Sequence, residues 1–196
     1  MKMWRRWRVP CKTGFLTRWP APDGACRVRI MIDLAFVQLM ARYNRWQNGN
    51  LYGVADTLDE SERRRDRGAF FGSVHATLNH LLWADRMWMS RFAGWPKPAV
   101  GIPGSVSLYP DWDDLKRERA ATDASLIAWA DGLYDGWLAG DCAWFSGSLG
   151  RDVVKPRWIV VTHLFNHQTH HRGQVHALLT QAGGRPDDTD LFVMPE

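Results

Sequence analysis

Apolar residues recur every three or four positions along four long segments of the chain, and polar residues fill the positions between them. In the first segment, 33–58, the apolar positions include Leu34, Val37 and Leu51. Side chains three and four residues apart share one face of a helix, so the pattern predicts an amphipathic helix. Asp33 stands immediately before the first apolar position and is the expected N-cap.

Three further segments show the same periodicity, namely 70–94, 111–138 and 156–184. Gly94 and Pro96 end the second helix, and Asp111 is placed to cap the third. Pro156 suits the first turn of the fourth helix, and a glycine pair at 183–184 suits its end. Four such helices predict an all-α protein built as a four-helix bundle.

The connections between these helices differ in character. The segment 94–110 holds four prolines and three glycines. It is long enough to cross the bundle, so helices 2 and 3 need not be simple up-and-down neighbours. The stretch ESERRRDRG, residues 60–68, is expected to be a charged loop, and 140–155 a loop or a short hairpin.

Charge divides the chain into two parts. Residues 1–30 carry eight Lys or Arg and one Asp, a net +7, which leaves −3 for residues 31–196 of a chain whose total is +4. For the basic arm, three alternatives remain open. It is a disordered tail or an upstream start before Met31, an arm that binds nucleic acid or an anionic surface, or a segment docked on the body. The mildly acidic body is not expected to bind nucleic acid.

The cysteines Cys11, Cys26 and Cys142 form no CxxC pair. They therefore indicate neither a disulfide scaffold nor a zinc-thiolate site, and they fit a cytoplasmic protein. The sequence contains no apolar run of the roughly 18 residues that a membrane span requires.

Histidine is the residue type that points to chemistry. The stretch HLFNHQTHHRGQ, residues 163–174, holds four of the seven histidines of the chain. His167 and His171 have the i, i+4 spacing that lets two imidazoles converge on one metal ion. A third ligand is available in the second helix from His80, on an apolar face, or from His75. These two lie about 140° apart around a helix, so both cannot point inward.

The pattern alone leaves three interpretations open: a metal site, a polar helix surface, and a metal-free hydrogen-bonded network. It argues against one enzyme class. The motif of residues 167–171 is HQxxH, and Gln168 cannot supply the carboxylate base of a zinc peptidase of the HExxH type.

Three stretches together resemble the DinB/YfiT-like family of metal-dependent bacterial enzymes. They are MARYNRWQNGNLY, GAFFGSVHATLNHLLWADRMWMSRF and THLFNHQTHHRGQVHALLTQAG, followed by TDLFVMP near the end of the chain. The resemblance covers residues 31–196. It implies a four-helix bundle of unusual connectivity that often forms a homodimer. It also implies one divalent metal ion held by His80, His167 and His171.

The resemblance leaves the other histidines, His75, His163, His170 and His176, outside the set of ligands. His163 and His170 are expected either to orient ligands or to bond to neighbouring groups. Arg172 is expected to form an ion pair rather than to touch substrate. Asp85 is expected to support a ligand or, preferably, to pair with an arginine.

Three neutral imidazoles leave a coordination position open, as in catalytic sites, and suit Zn²⁺, Ni²⁺, Fe²⁺ or Mn²⁺. The resemblance therefore implies a metal-dependent enzyme with a small-molecule substrate, either an S-transferase that uses a low-molecular-weight thiol or a hydrolase. The alternative is a non-catalytic metal-binding protein of a stress response.

Overall fold

The fold comes from a computed structural model that describes residues 30–195, and the basic arm at residues 1–29 lies outside that range. The described part is mostly helical, as predicted, with one two-stranded sheet. Its long helices are α1 (Leu34–Asp56), α3 (Val74–Phe92), α4 (Trp112–Asp131) and α5 (Arg157–Gln181), and α2 (Glu60–Arg64) is a single short turn. No helix within the described range has both the length and the apolarity that a bilayer crossing demands.

Capping side chains set the beginnings of the helices. Asp33 accepts a hydrogen bond from the backbone N–H of Phe36, and Asp111 caps α4 in the same way, so both predicted caps are confirmed. The prediction that 60–68 is a loop was wrong in part, because the Asp59 side chain caps the short helix α2.

The predicted boundaries of two helices need correction. Helix α3 begins at Val74 rather than at residue 70. Gly72 has a φ of +79°, a backbone conformation that side chains with a Cβ disfavour, and Ser73 then supplies the cap. Helix α4 ends at Asp131 rather than at residue 138, because the chain turns after it and Gly136 adopts a φ of +88°.

The segment before α5 is a β-hairpin, the second of the two forms expected for residues 140–155. Strand β1 (Asp141–Ser146) pairs antiparallel with β2 (Arg151–Pro156), in a register that places Trp144 opposite Val153. Pro156 ends β2 and occupies the N-cap position of α5, so the helix proper begins at Arg157. Cys142 of β1 is buried and forms no disulfide within the described range.

Each long helix packs against two others: α1 and α3 both contact α4 and α5. The apolar interior forms two separate clusters along these helices. The first includes Leu51, Ala55, Leu78, Leu82, Leu115 and Leu178. The second includes Val37, Ala41, Met89, Leu126, Leu164 and Phe165.

The two apolar clusters are separated by a buried polar layer. Each long helix contributes residues to this layer from positions between those that it contributes to the two clusters. Its members are at most 5% exposed and comprise Asn44, Asn48, Asp85, Arg119, Asp123, Gln168 and Arg172. Arg119 is at its centre, with one terminal nitrogen 2.7 Å from Asp85 and the other 2.7 Å from Asp123. Burial alone would lower the pKa of Arg119, but the two carboxylates outweigh that effect and raise it. The ion pair between Arg119 and Asp85 thereby joins α4 to α3.

Hydrogen bonds from two side chains of α3 hold the connection between α3 and α4 against that helix. The indole N–H of Trp83 donates to the carbonyl of Val100 at 2.8 Å. Asn79 accepts from the backbone N–H of Tyr109 at 2.7 Å and donates to its carbonyl at 3.2 Å. Between these attachments the chain forms a 3-10 helix, Ile102–Ser107.

Candidate metal centre

His80 from α3 and His167 and His171 from α5 come together in a group that we call the three-histidine cluster. One ring nitrogen from each residue can be chosen so that all three lie within 4.8 Å of one another. The Nε2 atoms of His80 and His167 are 3.3 Å apart. His80 and His171 are 4% and 7% exposed. The cluster is therefore largely shielded from water.

Hydrogen bonds at the opposite ring nitrogen determine which atom of His80 faces the cluster. Ser105 donates its hydroxyl proton to the carbonyl of Ile102 at 2.6 Å. Its oxygen therefore accepts from Nδ1–H of His80, at 2.8 Å. A neutral imidazole has only one N–H, so the Nε2 of His80 carries a free lone pair that is directed into the cluster.

His171 is held in a similar way by a residue of its own helix. The amide oxygen of Gln174, three residues further along α5, lies 2.7 Å from Nδ1 of His171 and can accept its proton. Nε2 of His171 is then also a free acceptor. His167 differs, because its Nδ1 is buried without a hydrogen-bond partner among the described residues.

Burial keeps these imidazoles in their neutral form. It lowers the pKa of His80 to about 4 and that of His167 to about 3, and proximity to His171 adds to both effects. The pKa of His171 is also lowered by burial, although the bond to Gln174 opposes the shift. Neutral histidine is the form that binds metal, so protons compete weakly for the cluster at neutral pH.

Aromatic rings enclose His80. The ring of Phe71, in the segment before α3, lies 4.0 Å from that of His80 and 5.2 Å from that of His171, measured between centroids. Trp83 stacks on the imidazole of His80 with a centroid distance of 5.5 Å. These side chains restrict the rotation of the imidazole and lower the local polarity.

The spacing of two of the three imidazoles suits a tetrahedral ion. Two nitrogen ligands at about 2.0–2.1 Å from Zn²⁺ stand about 3.3–3.4 Å apart when they subtend a tetrahedral angle. The distance between Nε2 of His80 and Nε2 of His167 has this value. Within residues 30–195, the cluster contains no carboxylate, so a bound ion would keep its full positive charge.

Comparison with known protein families agrees with these observations. The sequence model of the DinB family matches residues 31–196, which is most of the chain and includes all three histidines of the cluster. This chain belongs to the DinB family. A search among curated proteins found no match.

The remaining histidines of this DinB-family chain lie outside the three-histidine cluster. His163 packs on Trp88 at a centroid distance of 5.2 Å, and His170 lies 3.3 Å from the amide nitrogen of Gln174. The expectation that only one of His75 and His80 is buried was wrong. His75 is 3% exposed, but it faces Trp112 of α4 rather than the cluster.

Predictions for two charged residues had different outcomes. Asp85 pairs with an arginine, as preferred, although the partner is Arg119 of α4. Arg172 was expected to form an ion pair, but no carboxylate of the described residues lies within 4.0 Å of it. It donates to the side-chain oxygen of Asn44 and stacks on the ring of Tyr43 instead.

Sequence reasoning did not find the residues that support the cluster. Ser105 lies in a connection without periodicity, and nothing in the sequence relates it to a histidine 25 residues earlier. Phe71 was placed inside a helix that begins only after it. Gln174 was the one that could have been found, because it stands at i+3 from His171 and residues so spaced meet on a helix.

Proposed function

We propose that the chain binds one divalent metal ion through the Nε2 atoms of His80, His167 and His171 and is a metal-dependent enzyme. The observation that carries this proposal is the hydrogen bonding of His80 and His171 at Nδ1, the ring nitrogen that faces away from the cluster. Each directs a lone pair into the cluster because its Nδ1–H is held by Ser105 or Gln174. A polar helix surface would not require two such bonds on groups this well buried.

The ion is proposed to be Zn²⁺, Ni²⁺, Fe²⁺ or Mn²⁺, because imidazole discriminates little among them. When bound, it would lower the pKa of a water or a thiol at the open position. The protein's own residues hold the imidazoles in place, and Phe71 and Trp83 keep bulk water from His80.

Of the two reactions considered, we favour thiol-dependent S-transfer over hydrolysis. A hydrolase of this kind commonly relies on a general base for its water, and the cluster offers no carboxylate for that role. Asp85 cannot serve, since it is fully buried and bonded to Arg119 and Gln168. A thiol starts from a much lower pKa than water, so the ion would ionise it completely, and the thiolate would attack a small electrophilic substrate without such a base.

Metal content is the decisive first measurement. Untagged full-length protein would be analysed by elemental mass spectrometry beside His80→Ala, His167→Ala and His171→Ala, with His176→Ala as the control on the same helix. We expect close to one divalent ion per chain, lost in each cluster variant and kept in the control. Circular dichroism would establish that the variants fold.

An empty wild-type protein after incubation with Zn²⁺, Ni²⁺ and Mn²⁺ would contradict the metal site and favour a hydrogen-bonded network. Metal-loaded protein would then be tested for consumption of a low-molecular-weight thiol together with an electrophile. Stoichiometric metal with no turnover of any thiol or ester would favour the non-catalytic stress-response alternative.

We also propose the four-helix bundle connectivity and the homodimer that the family resemblance implies, and a cytoplasmic location. Exposed apolar side chains near the end of the chain support the dimer: Leu191, Phe192 and Val193 are 41%, 86% and 43% exposed. Light scattering on the eluate of a sizing column would give the mass. A monomer at micromolar concentration would contradict the homodimer.

A further inference from the structure

Helix α5 has a second face, opposite the three-histidine cluster, that carries further polar side chains and a glycine. Successive residues of a helix are about 100° apart. The positions that point away from His167 and His171 are Thr169, Arg172, Gly173 and His176. This second face meets α1 and the segment that follows α5. It therefore belongs to a different site from the candidate metal centre.

A cavity of about 280 Å³ lies on this face. Its lining includes Tyr43, Gln47, Arg172, Gly173, His176 and Thr189. At about 30 Å³ per water molecule, it has room for about nine waters or one small organic ion. Two hydrogen bonds attach the end of the chain beside it, from Tyr43 Oη to the carbonyl of Thr189 at 2.6 Å and from Gln47 to the carbonyl of Asp188 at 3.1 Å.

Arg172 brings a positive charge to this cavity, and no carboxylate of the described residues forms a direct ion pair with it. Arg172 is 5% exposed. Its guanidinium donates to the amide oxygen of Asn44 and lies over the ring of Tyr43, and both of these groups are neutral. One terminal nitrogen, Nη2, has no hydrogen-bond partner among residues 30–195. The two carboxylates of the polar layer, Asp85 and Asp123, are both taken by Arg119.

A buried cation normally has an anionic partner, because desolvation of a lone charge is costly. The guanidinium of arginine stays charged at neutral pH in proteins. The acidic residues Asp187 and Asp188 line a neighbouring cavity with Arg185 rather than this one. Asp85 and Asp123 stabilise the charge of Arg172 from a distance, but its guanidinium has no direct anionic partner among residues 30–195.

We propose that this cavity binds a small oxyanion, a carboxylate or a phosphate, with the guanidinium of Arg172 as its charged partner. Planar guanidinium suits either group because its N–H donors match the spacing of the oxygens. The side chains of Gln47 and His176 line the same cavity and can add neutral hydrogen bonds.

The test is calorimetric titration of full-length protein with inorganic phosphate and, separately, with acetate, at constant ionic strength against chloride. Because an oxyanion can also bind a metal ion, both titrations are run on metal-loaded and on metal-free protein. The variants are Arg172→Met, which removes the charge, and Gly173→Leu, which fills the cavity and leaves the arginine in place. A Cβ added at Gly173 meets no atom within 4 Å.

Gly49→Leu is the matched control, because Gly49 is also a helical glycine with open space around it but does not line the cavity. We expect at least one of the two anions to bind metal-free wild-type protein with a Kd below about 1 mM. Loss of a charge-assisted hydrogen bond should raise that Kd about tenfold or more in Arg172→Met, and Gly173→Leu should abolish binding.

Gly49→Leu should bind like the wild type, and whichever anion binds identifies the ligand chemistry. If Arg172→Met does not fold, Gly173→Leu alone decides the question. The proposal is overturned if neither anion binds metal-free wild-type protein, or if binding persists unchanged in Gly173→Leu.

Discussion

Replacing Ser105 by alanine tests how the three-histidine cluster is prepared for metal. The hydroxyl oxygen of Ser105 is the acceptor for Nδ1–H of His80 at 2.8 Å. Both residues are buried, at 0% and 4% exposure, so water cannot readily replace the lost acceptor. In Ser105→Ala, His80 either keeps an unsatisfied buried N–H or moves its proton to Nε2, where it blocks the lone pair.

The magnitude follows from the difference between the two outcomes: the metal-free variant is free to carry its proton on Nε2, whereas metal at Nε2 forces the proton back to Nδ1, where it has no acceptor. An unsatisfied buried donor costs about 1–3 kcal/mol. Loss of a partner that orients a metal-binding histidine typically weakens metal affinity about 10–100-fold, which corresponds to about 1.4–2.8 kcal/mol. The two ranges agree, so we expect Zn²⁺ and Ni²⁺ to bind Ser105→Ala about 10–100-fold more weakly than the wild type.

The assay is competition with a chromophoric chelator, which gives the Kd for each metal. Ser107→Ala is the control, since Ser107 is an exposed serine of the same 3-10 helix. Circular dichroism melts of the metal-free proteins separate a folding defect from a binding defect. If Ser105→Ala bound both metals as tightly as Ser107→Ala, the inferred role of the hydroxyl would be refuted.

Three other variants probe separate parts of the molecule. Arg119→Met should cost about 3–5 kcal/mol in urea unfolding, because Asp85 and Asp123 stay buried without their cation; an unchanged midpoint would contradict this. Burial lowers the pKa of His75 to about 4. The unfolded chain therefore binds the extra proton first, and stability should fall as pH drops from about 6.5 to 4. His75→Gln should make that decline shallower, whereas a surface variant should not, and the buried cluster histidines account for the part that remains. Gln174→Ala should weaken metal binding less than loss of the serine hydroxyl, because water can reach its half-exposed position; an equal loss of affinity would count against this.

The sequence identified the histidines that meet in the cluster because their positions follow helix geometry. His167 and His171 stand one turn apart on a single helix, and the periodicity around His80 placed that residue on a core-facing side. The resemblance to the DinB/YfiT-like family then chose His80 over His75. The structure brings the three together, and their binding of metal is the prediction that elemental analysis addresses.

The supporting contacts were beyond reach of the sequence for a physical reason. They join segments that are distant along the chain, through side chains without periodicity. Arg119 and Asp85 are 34 positions apart, and the serine that anchors His80 lies in a proline-rich connection. The start of α3 was misplaced because Gly72 and Ser73 interrupt an apolar run that otherwise continues smoothly into the helix.

Helix α5 interleaves two tasks at single-residue spacing. His167 and His171 face the cluster, whereas Gln168 and Arg172, the residues directly after them, enter the polar layer. If this whole stretch were randomised, most variants would fail to fold, because the buried polar residues would change together with the histidines. If the proposed metal site is confirmed, its metal preference is therefore better altered through Ser105, Phe71 and Gln174, which contact the imidazoles without belonging to the polar layer. Ser105 in the long connection and Phe71 before α3 lie outside the long helices, so changes there leave the helical interior untouched.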